Sequence, residues 1–140
     1  MFKNILLGVD GSEHALRAAR TAGDLARAVQ AETLRIVAAF DPIPSYLGEP
    51  HLEAAISARM EAADQTLKNA QQAVGNIAGK IHLEVLEGPP AEAILKVAAT
   101  HHNDLIVMGS RGLGRLTGAL LGSQSQKVVQ HATCPVLIVR

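Results

Sequence analysis

Residues 104–123 read DLIVMGSRGLGRLTGALLGS, and this stretch indicates the fold class. Residues 104–108 (DLIVM) are predicted to form a strand, because their apolar run is typical of a strand covered on both faces of a sheet. A glycine-rich segment follows, and Ser123–His131 is predicted to be a helix. A buried strand that leads through a loop into a helix is the repeating unit of an α/β fold.

The same alternation runs through the whole chain. Further strands are predicted at Asn4–Val9, Thr33–Phe40, Lys80–Glu87 and 135–139. Further helices are predicted after Ser12, which can cap the first of them, and over His51–Val74 and 91–100. The order βαβαβαβαβ predicts one α/β domain, residues 1–140, with a doubly wound parallel sheet covered by helices on both faces. Ligands of such sheets bind beyond the carboxyl ends of the strands, where the winding reverses.

Side-chain patterning predicts which faces of these elements are apolar. The helix over His51–Val74 has one apolar side: Leu52, Ala55, Ile56, Met60, Ala63, Leu67, Ala70 and Val74. In Lys80–Glu87, Ile81, Leu83 and Val85 share one face against polar residues on the other, which predicts a strand at a sheet edge. Residues 41–50 hold three prolines and a glycine, so they are predicted to be a loop and the most mobile region.

Composition excludes several classes of function. Thirteen basic and thirteen acidic side chains cancel, and only three residues are aromatic, so neither a basic field nor a stacking surface for nucleic acid is expected. No run approaches the ~20 apolar residues of a membrane span, and the first residues do not form a signal peptide. The single cysteine, Cys134, rules out an intramolecular disulfide and fits a reducing compartment. We therefore expect a cytoplasmic protein with no membrane insertion.

The glycine-rich segment is suited to holding phosphate. Five glycines lie within fourteen residues, at positions 109, 112, 114, 118 and 122. Glycine lets a ligand approach the backbone closely, so that N–H groups can converge on phosphate oxygens. Ser123 adds a helix start with its positive dipole end, and Arg111 and Arg115 can neutralise phosphate charge. The spacing fits neither the dinucleotide fingerprint nor a Walker loop, and a flexible connection without a ligand is the structural alternative.

Asp10 ends the first strand, where a crevice would open. Its carboxylate could accept hydrogen bonds from ribose hydroxyls or help to hold a metal bound to phosphates; capping of the following helix is the alternative. No His, Cys or acidic cluster has metal-site spacing, and no Ser-His-acid constellation is evident. His14, His51, His82 and His131 are expected to be solvated surface residues, and Cys134 to be a buried small hydrophobe.

The spacing Gly109-x2-Gly112-x9-Gly122-Ser123 resembles the ATP-binding signature of the universal stress protein family. The opening KNILLGVDGSEHA (residues 3–15) and the final CPVLIVR (residues 134–140) are also similar to that family. The resemblance covers essentially the whole chain. It implies an adenine-nucleotide α-hydrolase-like fold, with five parallel strands in the order 3-2-1-4-5 and the switch between the first and fourth strands.

The resemblance also implies a binding site. Adenosine would contact Val9 and Asp10, and Ala39 would line the adenine pocket. Met108 and Gly109 would lie near ribose and phosphate, and Gly112, Gly122 and Ser123 would bind phosphates. Gln124, where many members carry a small apolar residue, would reach the phosphate or the ribose.

The resemblance implies an ATP-binding regulator or sensor of the stress response that acts through an unknown protein partner. Mg²⁺ would accompany ATP, with Asp10 as its indirect metal contact. The alternative is a slow ATPase or phosphotransferase; because phosphoryl transfer needs a positioned base and none is evident, binding ranks above catalysis and we do not predict an enzyme. The resemblance implies a homodimer through the apolar strand at 135–139, with a tetramer as a larger assembly.

Overall fold

A computed structural model of the chain describes residues 1–42, 48–112 and 121–140. These residues form β1 (Asn4–Val9), α1 (Glu13–Val29), β2 (Thr33–Phe40), α2 (His51–Val74), β3 (Lys80–Glu87), α3 (Pro90–Thr100), β4 (Leu105–Gly109), α4 (Ser123–His131) and β5 (Val136–Val139). The sheet order is β3-β2-β1-β4-β5 with every pair parallel, so the predicted α/β fold and strand order are confirmed. Part of the predicted loop at 41–50 lies outside the described residues, as do Gly114, Arg115 and Gly118.

Two apolar layers cover the sheet. α1 and α2 pack on one face over a core that includes Ile5, Leu7 and Ile36, and α3 and α4 pack on the other over Leu6 and Ile106. The five residues just named from β1, β2 and β4 are completely buried or nearly so. Continuous apolar runs in β1 and β4 supply both layers at once, because each of these strands is covered on both faces.

α1 approaches its neighbours closely because its buried face consists of alanine and glycine: Ala15, Ala18, Ala19, Ala22, Gly23 and Ala26. Ser12 caps the helix as predicted, since its Oγ accepts a hydrogen bond from the Ala15 N–H at 3.2 Å. A Cβ added at Gly23 would overlap the carbonyl group of Val74 in α2. The absence of a side chain at Gly23 therefore sets the distance between α1 and α2.

The predicted apolar side of α2 is only half buried. Ala63, Leu67, Ala70 and Val74 lie in the core, whereas Ile56 is 39% exposed and Met60 51% exposed. Twenty-four helical residues span about 36 Å, while the eight residues of β2 span about 26 Å, so the sheet cannot cover the full helix. Ile56 and Met60 share the predicted apolar side of α2 but lie beyond the part of the helix that the sheet covers.

The edge position of β3 is confirmed, but its apolar face is incompletely covered. Ile81 and Val85 pack against the core, and Leu83 between them is 42% exposed. Among the strands that the structure describes, only β2 lies next to β3, so the side chains on the other flank of β3 have no neighbouring strand to pack against.

Small differences at the ends of elements separate the prediction from the structure. β4 runs one residue later than predicted, α3 begins at Pro90, and β5 begins at Val136.

Cys134, just before β5, is half-buried against the α3–α4 layer, and burial together with the negative charge of Asp104 raises the pKa of its thiol. Among the described helices, none has the length and apolar character needed to cross a membrane.

Candidate functional site

The ends of β1 and β4 meet at the carboxyl edge of the sheet. Gly8 pairs with Met108, so Gly109 lies one residue beyond that pair and Asp10 two residues beyond it, at the same end of the sheet. α1 starts at this edge and packs on one face of the sheet, and α4 packs on the other face. The winding reverses between β1 and β4, so the predicted position of the ligand crevice coincides with these two strand ends.

Asp10 is held in the turn between β1 and α1. Its Oδ1 accepts a hydrogen bond from the Ser12 N–H at 3.0 Å, while the capping of α1 itself falls to Ser12. Its Oδ2 lies against Gly112, where an added Cβ would come within 2.5 Å of that oxygen. The carboxylate thus keeps one oxygen for the turn and directs the other toward the glycine segment.

The start of the glycine segment packs across the β1–α1 turn. Ser12 Oγ donates to the carbonyl oxygen of Arg111 at 3.5 Å, and Arg111 itself is half-buried. Together with the contact between Gly112 and Asp10, this joins sequence positions about a hundred residues apart into one surface. The two halves of the predicted site are therefore brought together.

Gly109 has a packing role as well as its predicted ligand role. A Cβ at this position would lie 2.8 Å from both the backbone carbon and the Cβ of His14. The first turn of α1 can rest on the end of β4 only because residue 109 has no side chain. Glycine is required at 109 by the fold alone, whether or not phosphate binds there.

Ser110 ties three elements to the base of the glycine segment. Its N–H donates to the carbonyl oxygen of Val139 in β5 at 2.7 Å, and its own carbonyl oxygen accepts from the Gly122 N–H at 2.7 Å. Its Oγ lies 3.0 Å from Nδ1 of His14 in α1. Ser110 is 3% exposed, so these contacts are shielded from water.

The start of α4 is fixed by two hydrogen bonds to residues at the end of β4. Gly122 stands at the N-cap position, and Ser125 Oγ donates to the carbonyl oxygen of Gly109 at 2.9 Å. Because the Gly122 N–H is bonded to Ser110, the N–H groups available to an anion are those of the following first-turn residues, beginning with exposed Ser123. A phosphate contact by Gly122 would come from its Cα surface rather than from its N–H.

Gln124 is directed toward α3. Its side-chain oxygen accepts a hydrogen bond from the Ala91 N–H at 2.9 Å, which satisfies one of the unpaired donors at the start of that helix. The side chain therefore links α4 to α3. Its predicted contact with phosphate or ribose stays a prediction.

The predicted adenosine contacts line the same edge. Val9 and Met108, at the ends of β1 and β4, are each 7% exposed, and Ala39 is half-buried near the end of β2. Val9 pairs with Ala38, so Ala39 lies one strand away from Asp10 at the same level. The structure brings these residues to one side of the crevice; their contact with adenine stays a prediction.

Sequence reasoning missed His14, Ser110 and Ser125. His14 was expected to be solvated, which is wrong, because it is half-buried and bonded to Ser110. The available signal was position: His14 lies four residues after Asp10, and Ser110 directly follows Gly109. Residues that follow strand ends at a winding switch are the ones that such a fold directs at its crevice.

A resident metal site is not evident at this edge. No group of three or more His, Cys, Asp or Glu side chains suited to a metal occurs in the described parts of the chain. One carboxylate, Asp10, stands beside the space where phosphates are predicted. A metal ion here would fit as a companion of bound phosphates, with Asp10 as its nearest acidic group.

A groove of about 650 Å³ lies at the opposite edge of the sheet. It is lined by the end of α2 and the start of β3, including Lys68, Gln72, Asn76 and Ile81. Lys68, Gln72 and Asn76 are all exposed, and Lys68 forms an ion pair with Asp64 at 3.0 Å. Since its polar groups face solvent, this groove lacks the buried, convergent polar contacts of a specific small-molecule site.

Comparison with known proteins places the chain in a family. The family model described as "Universal stress protein family" matches residues 1–140. The chain belongs to the universal stress protein family. A universal stress protein of Thermus aquaticus, "in QAH/OAS sulfhydrylase 3'region", is 50% identical over 140 residues, covering all of both chains.

Solved universal stress proteins share the fold. UspA from Lactobacillus plantarum superposes with a TM-score of 0.87 at 30% identity, covering 99% of this chain and 98% of that one. A universal stress protein solved in complex with cAMP superposes with a TM-score of 0.71 at 29% identity, covering 99% and 97%. This universal stress protein therefore has the fold of its relatives over essentially its whole length.

Proposed function

We propose that this universal stress protein binds ATP, accompanied by Mg²⁺, at the carboxyl edge of β1 and β4. We also propose that the bound state regulates the stress response through a protein partner. The observation that carries the proposal is the position of the glycine segment between two elements. It contacts the β1–α1 turn through Gly112 and Asp10, and the start of α4 through the hydrogen bond between Ser110 and Gly122. The relative solved with cAMP supports an adenine nucleotide as the ligand class.

Each predicted residue has a role that its position supports. Asp10 Oδ2 would accept a ribose hydroxyl, and the adenine would lie over the ends of β1 and β2 at Val9 and Ala39. Met108 and Gly109 would form the floor beside the ribose and the first phosphate. Val9, Ala39, Met108 and Gly109 all lie at the same edge of the sheet as Asp10.

Phosphates would lie between the glycine segment and α4. Gly112, Gly122 and Ser123 offer backbone without bulky side chains, and the unpaired N–H groups of the first turn of α4 favour negative charge. Arg111 would balance that charge from the other side. Gln124 would act through its backbone, since its side-chain oxygen bonds to Ala91.

Binding of Mg-ATP is tested by thermal unfolding of the full chain. At a ligand concentration 100 times the dissociation constant, the free energy of unfolding should rise by about 2.7 kcal/mol, because only the folded state binds. Mg-GTP at the same concentration is the control for recognition of adenine. A chain whose unfolding temperature is unchanged at millimolar Mg-ATP would contradict the proposed site. Phosphate release followed for hours in the same samples separates a sensor from a slow ATPase.

We further propose a homodimer that pairs through β5, with a tetramer as a larger assembly of such dimers. β5 is the edge strand beside β4, and its four apolar residues are each only half-buried. Pro135 accepts a hydrogen bond from Ile106 in β4, and Val139 accepts one from Ser110, which directly follows β4. Since residues alternate along a strand, Val136 and Ile138 direct their N–H and carbonyl groups outward, where a second copy can pair.

Ile138→Pro should convert a wild-type dimer to a monomer in analytical ultracentrifugation at micromolar concentration. Proline removes the outward N–H while the bonds that hold β5 to β4 at Pro135 and Val139 remain. Ile138→Val, which keeps the N–H, is the matched control and should stay dimeric. A wild-type chain that sediments as a monomer, or an Ile138→Pro chain that stays dimeric while folded, would contradict pairing through β5.

A further inference from the structure

We propose that His14 is a positioning residue for the nucleotide site, acting through Ser110 on the base of the glycine segment. This inference rests on the proposed function. It assigns a role to a side chain that lies outside the predicted set of ligand contacts. His14 is half-buried in the first turn of α1, and its Nδ1 lies 3.0 Å from Ser110 Oγ.

Ser110 connects the two ends of the glycine segment. The 2.7 Å hydrogen bond from the Gly122 N–H to the Ser110 carbonyl oxygen joins the two ends of the segment that runs between them. The separation of Gly112 from Ser123, both predicted phosphate contacts, therefore depends on how residue 110 is held. A shift at Ser110 moves both ends of the segment.

Two neighbouring elements fix the orientation of Ser110. Its backbone N–H is bonded to Val139 of β5, and its side chain is bonded to His14, so β5 and α1 hold it from two directions. His14 is itself fixed, because its backbone and Cβ pack against the bare Cα of Gly109. A rigid imidazole thus sets the direction of the Ser110 side chain and limits rotation of the peptide that leads into Arg111.

The hydrogen bond between His14 and Ser110 involves a buried hydroxyl group. Ser110 is 3% exposed, so loss of its partner leaves a buried hydroxyl that must find another one or shift. A hydrogen bond of this kind corresponds to about a fivefold change in an equilibrium. Because the link does not touch the ligand directly, its loss should weaken nucleotide binding without abolishing it.

The test uses calorimetric titration of the full chain with Mg-ATP, well below the unfolding temperature. His14→Leu keeps the bulk and removes the hydrogen bond, and should weaken binding about fivefold. His14→Asn can place an amide atom near the position of Nδ1 and should bind within about twofold of the wild type. Ser110→Ala should weaken binding as His14→Leu does, and the double variant should be no weaker than either, because one link is lost in all three.

Thr33→Ala is the matched control. It removes a part-buried side-chain hydrogen bond of the same 3.0 Å length, from Thr33 Oγ1 to Asn4 Oδ1, at the opposite edge of the sheet. It should lower the unfolding temperature and leave the affinity for Mg-ATP unchanged. A purely structural role for His14 predicts the same behaviour for His14→Leu.

The outcomes separate the two proposals. A wild-type chain that binds no Mg-ATP would overturn the proposed function together with this inference. Binding by the wild type that is unchanged in His14→Leu and Ser110→Ala would overturn the inference alone. Equal weakening by His14→Leu and His14→Asn would also overturn it, because the effect would then not follow the hydrogen bond.

Discussion

Gly112→Val should weaken Mg-ATP binding by more than about tenfold while the chain stays folded. A Cβ at residue 112 would come within 2.5 Å of Asp10 Oδ2, and that carboxylate is anchored by its 3.0 Å bond from the Ser12 N–H. Valine therefore displaces the proposed ribose contact and fills the space proposed for phosphate. The backbone at Gly112 lies outside the left-handed region, so the substitution adds no backbone strain of that kind.

The affinity is measured by titration calorimetry, and the fold by circular dichroism and thermal unfolding. Thr100→Val, which places the same side chain at an exposed position at the end of α3, is the control and should bind as the wild type does. If folded Gly112→Val binds Mg-ATP with wild-type affinity, the nucleotide contacts neither Asp10 Oδ2 nor Gly112.

Gly23→Ala should destabilise the fold by about 2 kcal/mol or more. The added methyl group would overlap the carbonyl oxygen of Val74 and lie 2.9 Å from its carbonyl carbon. These are backbone atoms, so no side-chain rotation relieves the contact, and α2 must move away from α1. Alanine gains about 1 kcal/mol in helix propensity, which offsets only part of an overpacking cost of about 3 kcal/mol.

Thermal unfolding checks this prediction, and a loss of about 2 kcal/mol corresponds to a fall of roughly 7 °C for a chain of this size. Arg20→Ala, at an exposed position of α1, should stay within about 0.5 kcal/mol of the wild type. An unfolding temperature for Gly23→Ala at or above that of the wild type would show that α1 and α2 are not in such close contact.

The fold was predictable because the central strands are covered on both faces. Their apolar runs are typical of buried strands. The bounds of β1, β2, β3 and α2 match the predicted residues. The burial of α2 was not predictable in the same way. A helical period shows which side of a helix is apolar, but the length of sheet available to cover that side is a property of the assembled fold.

The candidate site was predictable in its chain positions but not in its contacts. Asp10 and the glycine segment follow β1 and β4, and topology brings those ends together. The contact between His14 and Ser110 joins residues 96 positions apart, and neither residue is part of a sequence motif that would predict it. The sequence also does not show why each glycine is needed. Gly109 leaves room for α1, whereas Gly112 leaves room for the Asp10 side chain.

The hydrogen bond from Ser110 to Val139 has a thermodynamic consequence for assembly. The same residue that closes the glycine segment at Gly122 is bonded to the strand proposed to pair with a second copy. Free-energy coupling between two binding events is reciprocal. If subunit pairing raises the affinity for nucleotide by some factor, bound nucleotide raises the affinity of subunit pairing by the same factor. The dimer dissociation constant measured with and without Mg-ATP therefore reports the coupling directly.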